Sequence, residues 1–248
     1  MNSTNTPTLV LIHGAWHDGR AWDDTAEHLR AQGYEVHTPT VAGHGPDGDR
    51  TTTLDGAVDS IVEYIEENDL TNVALVGHSL GGVYISQAAP RIADRLSRLV
   101  FLVAFVLSDG ESLYDVLPEA LRDNLLNSTN DDGVIPPDYA FVRNGFMSTA
   151  DEAATREVFA ELSPQGDTTF SVRVDQSGFE TLVADGEVGI SYIDVSGDVL
   201  LGPDGWYSAF GERLGAGVRV IRVAGESHDL MHTDPAECAE AIIAAARD

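Results

Sequence analysis

Residues 73–82 read VALVGHSLGG. Apolar strand formers, Val73–Val76, run straight into Gly77-His78-Ser79-Leu80-Gly81, a G-x-S-x-G pentapeptide, and then into Val83–Ala93, which reads as helix. The context matters more than the five letters. A serine on a sharp strand-to-helix turn is held in a strained conformation, and glycines at both flanks remove side chains that would collide there. The turn lifts the Ser79 hydroxyl above the end of a sheet. The following helix aims its free N–H groups at negative charge developing beside it. Against a plain Gly-rich helix entry, the pentapeptide reads as a nucleophile.

Upstream, Leu9–His13 reads as a buried strand, Ala21–Gln32 as a helix ended by Gly33, Tyr34–Val41 as extended chain and Leu54–Asn68 as an amphipathic helix. Downstream, Leu99–Leu107 is the next strand. This β-α-β-α order favours a parallel sheet with helices on both faces. From Ser108 to Glu187 the rhythm stops. Asp, Gly, Pro and Asn interrupt short helical pieces (Glu119–Leu126, Ala150–Leu162), and no buried strand is evident. It resumes with a strand at Gly189–Val195, a helix around Trp206–Leu214, a strand at Val218–Val223 and a helix at Pro235–Ala246, which Thr233 or Asp234 is placed to cap. The expected organisation is one α/β core, residues 1–107 and 188–248, with 108–187 as a small cap inserted over one end of the sheet.

A serine hydroxyl is a weak nucleophile until a base takes its proton and an acid orients that base. On this kind of turn the chain order is Ser, then Asp or Glu, then His. Downstream of Ser79 the only histidines are His228 and His232. His228 follows Val218–Val223 through a short Gly-containing turn, which brings it to the same sheet end as Ser79. His232 lies beside the last helix and reads as a partly exposed or capping residue. For the acid, Asp198 comes after the strand Gly189–Val195 and a brief turn, and is favoured over Asp194, Asp204 and Asp109. The oxyanion donors fall to the backbone N–H of Leu80 and to one from His13-Gly14-Ala15-Trp16-His17, where Ala15 is the natural candidate. His13 itself reads as a hydrogen-bonding residue within that loop.

Residues 225–235, GESHDLMHTDP, invite comparison with the zinc pattern H-E-x-x-H. A zinc site needs both histidines on one helix face and a third ligand elsewhere. Gly225 and Ser227 before the pair and Asp234-Pro235 after it place the two in a turn instead. His13 and His17 repeat the spacing, again in a loop. No metal and no cofactor are expected. Gly43-His44-Gly45-Pro46-Asp47-Gly48 matches G-x-G-x-x-G, but Pro46 and the polar stretch Asp47–Thr53 make it a loop rather than a dinucleotide-binding helix entry. The single cysteine, Cys238, sits in an Ala-rich helical pattern and reads as a buried small side chain.

At 248 residues, 43% of them apolar, the chain has ample material for a core. Its net charge of −27 disfavours nucleic acid and anionic membranes as partners, because both are polyanions. No apolar run reaches the roughly 18 residues of a membrane span, and MNSTNTPT lacks the pattern of a secretory signal. The expected location is cytoplasmic. Without secretion the sequons at Asn2 and Asn127 carry no weight.

Five stretches carry a family resemblance: VLIHGAWHDGRAW (10–22), LVGHSLGG (75–82), FLVAF (101–105), YIDVSGD (192–198) and SHDLMH (227–232). From about Thr8 to Ala245 the chain resembles the α/β-hydrolase superfamily, and within it the plant methyl esterases and hydroxynitrile lyases with their bacterial esterase relatives. The resemblance implies a triad of Ser79, Asp198 and His228, with Ala15 and Leu80 as oxyanion donors. It also implies Phe105 as a wall of the acyl pocket, with Trp16 near the mouth. The plant lyases carry Thr after the first-loop His and Lys after the catalytic His; here those positions hold Gly14 and Asp229. An Asp would repel cyanide, and Gly14 leaves the oxyanion site open for an ester carbonyl, so hydrolysis is favoured. Asp229 also differs from the apolar residue common in the esterases, and is expected to disfavour carboxylate-bearing substrates. The expected protein is a serine hydrolase that cleaves a small-molecule carboxylic ester through an acyl-enzyme, without cofactor. A carbon–carbon lyase or lactonase on the same triad is one alternative, and a non-catalytic ligand receptor retaining the pocket is another. A homodimer is compatible with the sequence.

Overall fold

Among the described residues eight strands follow in chain order: β1 (Thr8–Ile12), β2 (Val36–His37), β3 (Val73–His78), β4 (Leu96–Leu102), β5 (Val134–Ile135), β6 (Gln165–Gly166), β7 (Gly189–Val195) and β8 (Arg219–Val223). The computed structural model describes residues 6–198, 200–201, 205–225 and 227–247; Asn2 and Asp204 lie outside them. Six strands form one sheet in the order β2-β1-β3-β4-β7-β8, and every pairing in it is parallel. The central strand β3 is buried at all six positions, as expected for a parallel strand covered on both faces. The helices Asp23–Ala31 and Pro235–Ala246 pack together on one side, and Leu54–Glu67 packs with Gly81–Ala88 on the other.

Local chemistry explains the helix ends. Thr53 accepts the Gly56 N–H through its hydroxyl at 3.1 Å, and Leu54, Ala57, Val58, Ile61, Val62 and Ile65 then form one buried stripe. Of the two residues placed to cap the last helix, Asp234 does so, accepting the Glu237 N–H at 3.0 Å ahead of Pro235. Several expected elements are shorter than their patterns. Only Val36–His37 of Tyr34–Val41 joins the sheet. The apolar run Leu99–Leu107 leaves it after Leu102, because Val103 adopts φ +34°, a conformation that breaks strand geometry. The helix Gly81–Ala88 gives way to a 3-10 turn at Ala89–Arg91 that contains Pro90.

Between β4 and β7 the chain forms short helices, including Glu119–Ser128, Glu152–Glu161 and Ser177–Asp185. It also forms the antiparallel pair β5-β6, which the sequence did not reveal; two-residue strands are too short for any alternation to show. This segment is tied to the loop after β1 through Trp16. The indole N–H donates to Ile135 O and the backbone N–H to Gln165 Oε1, both at 3.1 Å, while Trp16 O accepts the Ser163 N–H at 2.9 Å. Among the described residues no helix is long and apolar enough to cross a membrane.

The sheet order fixes where a site forms. From β1 the chain moves outward to β2, then returns to β3 and proceeds the other way through β4, β7 and β8. The loops after β1 and β3 therefore diverge and leave a crevice at the carboxyl ends of the strands.

Candidate active site

Ser79 sits on the turn between β3 and the helix Gly81–Ala88 with φ +53°, in the left-handed region a non-glycine residue seldom adopts. Its backbone is pinned there: the N–H donates to Leu102 O at 3.2 Å, and the carbonyl accepts from Gly82 and Phe105 N–H, each at 3.1 Å. The flanking glycines are required by contact. A Cβ on Gly77 would lie 2.6 Å from Gly81 O, and one on Gly81 would lie 2.8 Å from Ile12 O. One on Gly14, in the loop after β1, would come within 3.0 Å of both Ser79 Cβ and His78 Nδ1.

Asp198 and His228 follow β7 and β8 and meet at the same end of the sheet. His228 Nδ1 and Asp198 Oδ2 are 2.6 Å apart, with both side chains fully buried. A carboxylate accepts, so Nδ1 carries the proton; Nε2 is buried with no hydrogen-bond partner. The ring is stacked on Trp206 (centroids 4.8 Å, 20° between planes) and lies 5.2 Å from the Phe146 ring. Both neighbours of His228 are tied to Phe146 O, by the Ser227 hydroxyl and by the Asp229 N–H at 3.0 Å. His78 Nε2–H donates to His228 O at 3.1 Å. The rival acids are engaged elsewhere: Asp194 faces Arg222 at 3.8 Å, and Asp109 accepts the Gln176 N–H at 3.0 Å.

Ser79 opens into a cavity of about 30 Å³ that Ala15, Trp16, Leu80 and Phe105 line from the core. Leu117, Leu125, Phe141, Phe146 and Phe170 close it from the segment between β4 and β7, and Ser79 contributes a hydroxyl. Phe105 is braced by Trp206 and Phe210, with centroids at 4.8 and 5.1 Å. Asp229 does not line this cavity. Its carboxylate points behind the site, completely buried, 3.2 Å from His17 Nε2 and 3.9 Å from His78 Nε2. Adjacency to His228 in sequence thus did not give it the same direction, because the turn sends the two side chains apart.

The other histidines are also placed. His13 Nδ1–H donates to Gly14 O at 3.0 Å and Nε2 accepts the Val41 N–H at 3.1 Å, so it holds the loop, and burial lowers it to about 4. His44 bridges His17 O and the Tyr84 hydroxyl. Arg50 donates to the carbonyls of Gly43 and Gly45 in the G-x-G-x-x-G stretch, and a helix begins only at Leu54. Burial pushes the Cys238 thiol up to about 12. Around Asp229, sequence reading missed a gathering of His17, His78 and His232; the two four-residue histidine spacings were its only trace. Burial opposes protonation of His17, yet the adjacent carboxylate outweighs it and the imidazole is raised, while Asp229 is lowered despite burial because of His17. Burial takes His232 down to about 4 and His78 well below its ordinary value.

Over residues 9–241 the chain matches the alpha/beta hydrolase family. It is 44% identical over 116 residues to the carbendazim hydrolyzing esterase of a Nocardioides species, covering 46% of this chain and 48% of that protein. With methyl jasmonate esterase 1 of Vitis vinifera the identity is 34% over 119 residues, covering 45% and 44%. The chain spans about half the length of the curated relatives it matches. A structure of an extracellular alpha/beta-hydrolase from a Paenibacillus species, described as sharing structural and functional homology with tobacco salicylic acid binding protein 2, is similar throughout. Its TM-score is 0.91 at 31% identity, covering 98% of this chain and 100% of that one. With a match across nearly the whole sheet and a relative of this identity over its full length, the chain belongs to the alpha/beta hydrolase family.

Proposed function

We propose that the protein is a serine esterase acting on small, neutral, apolar carboxylic esters. The observation that carries this reading is the Asp198-bound imidazole of His228, with a bare Nε2, at the same sheet end as a serine held at φ +53°. Ser79 Oγ attacks the ester carbonyl as His228 Nε2 takes its proton. Asp198 keeps the ring in the tautomer that can do so and stabilises the imidazolium. The N–H groups of Ala15 and Leu80 receive the developing oxyanion, each worth about 3–4 kcal/mol in the transition state. His228 then protonates the leaving alkoxide, and a water activated by the same imidazole releases the acid from Ser79.

Residues 108–187 act as a cap whose apolar side chains, with Trp16 and Phe105, select the acyl group. Gly14 provides clearance beside Ser79. Among the described residues the cavity wall has no charged side chain, which supports neutral substrates and leaves no cation there to take up a leaving cyanide, favouring hydrolysis over the lyase alternative. The names of the relatives, a carbendazim hydrolyzing esterase and a methyl jasmonate esterase, support ester chemistry on small molecules. A panel of p-nitrophenyl esters and lactones, run with the native chain and with Ser79→Ala, tests the assignment. The expected result is ester turnover that falls at least about a thousandfold in the variant. Turnover within about tenfold of native in a folded Ser79→Ala protein would remove the nucleophile from the mechanism. Native turnover confined to lactones would shift the reading to a lactonase, and none at all would point to a receptor that retains the triad.

A further inference from the structure

We propose that His17, Asp229 and His232 form a binding site for one divalent transition-metal cation of the Zn²⁺ type, behind the active site and separate from its chemistry. The three side chains come from two loops. His17 belongs to the loop after β1, while Asp229 precedes and His232 lies within the single helical turn Leu230–Thr233. Three residues apart across that turn, Asp229 and His232 project to the same side. One ligand atom from each of the three lies within 4.8 Å of the others.

Their hydrogen bonding is what calls for a cation. Asp229 is fully buried, and among the described residues its carboxylate oxygens, His17 Nε2 and His232 Nε2 have no well-aligned hydrogen bond, the nearest approach being His17 Nε2 to the carboxylate at 3.2 Å. A buried carboxylate without hydrogen bonds is tolerated only beside a compensating positive charge. Three residues with unsatisfied buried polar atoms come together here, an arrangement that an ion would satisfy. His17 is already oriented for ligation: Nδ1–H donates to Ala15 O at 2.8 Å, which leaves Nε2 directed at Asp229. An imidazole held by a carbonyl through one nitrogen and presenting the other is the usual arrangement around a metal. Bonds of about 2.0–2.1 Å to nitrogen and carboxylate oxygen require the three ligand atoms, now within 4.8 Å of one another, to draw closer around the ion.

A second grouping, His78 with His228 and Asp229, also brings ligand atoms together. Its histidines are committed elsewhere, His78 Nε2–H to His228 O and His228 Nδ1 to Asp198. The cation therefore belongs on the His17 side. Access exists there too. A cavity of about 10 Å³, room for about one water-sized particle, touches His17 and His232. Beside it a vestibule of about 310 Å³ reaches His232 and is walled by Asp23, Asp24, Glu157 and Glu161. These acids concentrate cations at the mouth, where Arg20 is already paired with Asp18 at 2.7 Å. Expecting no metal rested on reading His228 and His232 as the pair. In the fold His228 goes to Asp198, and Asp229 takes its place beside His232.

The competing occupant is a proton on His17, which would make the cluster a plain ion pair. Tag-free full-length protein, stripped with a chelator, is titrated with Zn²⁺ and with Co²⁺. Metal content after gel filtration and the visible spectrum of bound Co²⁺ are the readouts. The expected result is one equivalent per chain, with affinity falling about tenfold or more in His17→Gln and in His232→Leu and unchanged in His228→Ala. No saturable binding by the native chain would overturn the proposal in favour of the ion pair, whatever the variants do. Binding indifferent to His17→Gln and His232→Leu, or abolished by His228→Ala, would overturn it equally.

Discussion

In the proposed mechanism a single atom's placement at Ser79 and His228 decides the chemistry. Asp198→Asn keeps the shape but offers His228 Nδ1 an amide in place of a carboxylate, so the bare Nε2 is no longer assured. In steady-state assays kcat should drop about 10³–10⁴-fold with KM little changed. A side chain at position 14 has no room: Gly14→Thr would drive its Cβ to 3.0 Å from Ser79, and turnover should fall by at least about tenfold in the same assay. The position of Ser79 on a strand-to-helix turn was legible because that turn imposes glycines on the neighbouring sequence. Asp198 was legible from its distance beyond a strand end. The direction of Asp229 was not, since a one-residue step around a turn can reverse a side chain and leaves no mark on composition. Burial also sets a pH limit. His13 stays neutral in the fold down to about 4, whereas the unfolded chain takes up that proton near 6.5. Stability is thus full above 6.5 and is lost as pH falls towards 4, by up to about 3 kcal/mol from this residue. Urea titrations at pH 7.5 and 4.5 should show the loss, and a smaller one in His13→Gln.

Elements with chemically marked ends were read closely, and those ended by geometry were not. The strand Gly189–Val195 and the helix Pro235–Ala246 match expectation to the residue, the helix because Asp234-Pro235 announces its start. The strand after Ser79 was overread by five residues at its end, since Leu102 and Leu107 are equally apolar and only the positive φ of Val103 separates them. Within residues 108–187 the walls of the cavity come from short pieces whose packing partners lie far away in sequence, so periodicity had little to act on. Trp16 is the rivet between this segment and the loop after β1. Trp16→Phe removes the indole bond to Ile135 O while keeping most of the ring. It should cost about 1 kcal/mol in chemical denaturation and raise KM more than it lowers kcat.

Across the whole molecule, charge is the least balanced property. The net charge is −27, and all 14 cationic side chains are arginines, for the sequence has no lysine. Self-repulsion of this size is screened within about 3 Å at 1 M salt. Raising NaCl from 0.05 to 1 M should therefore lift the melting temperature, by at least the roughly 2–4 °C that 1 kcal/mol produces in a domain this large. The parallel sheet collects Ser79, Asp198 and His228 from three strand ends, a gathering that chain order alone could announce. How the molecule couples its parts was not announced. Phe146 O accepts from the Ser227 hydroxyl and the Asp229 N–H on either side of His228, while the Phe146 ring walls the cavity. The segment between β4 and β7 and the turn that carries His228 are consequently joined at one residue. Any displacement of Phe146 would therefore disturb the cavity wall and the turn that carries His228 together.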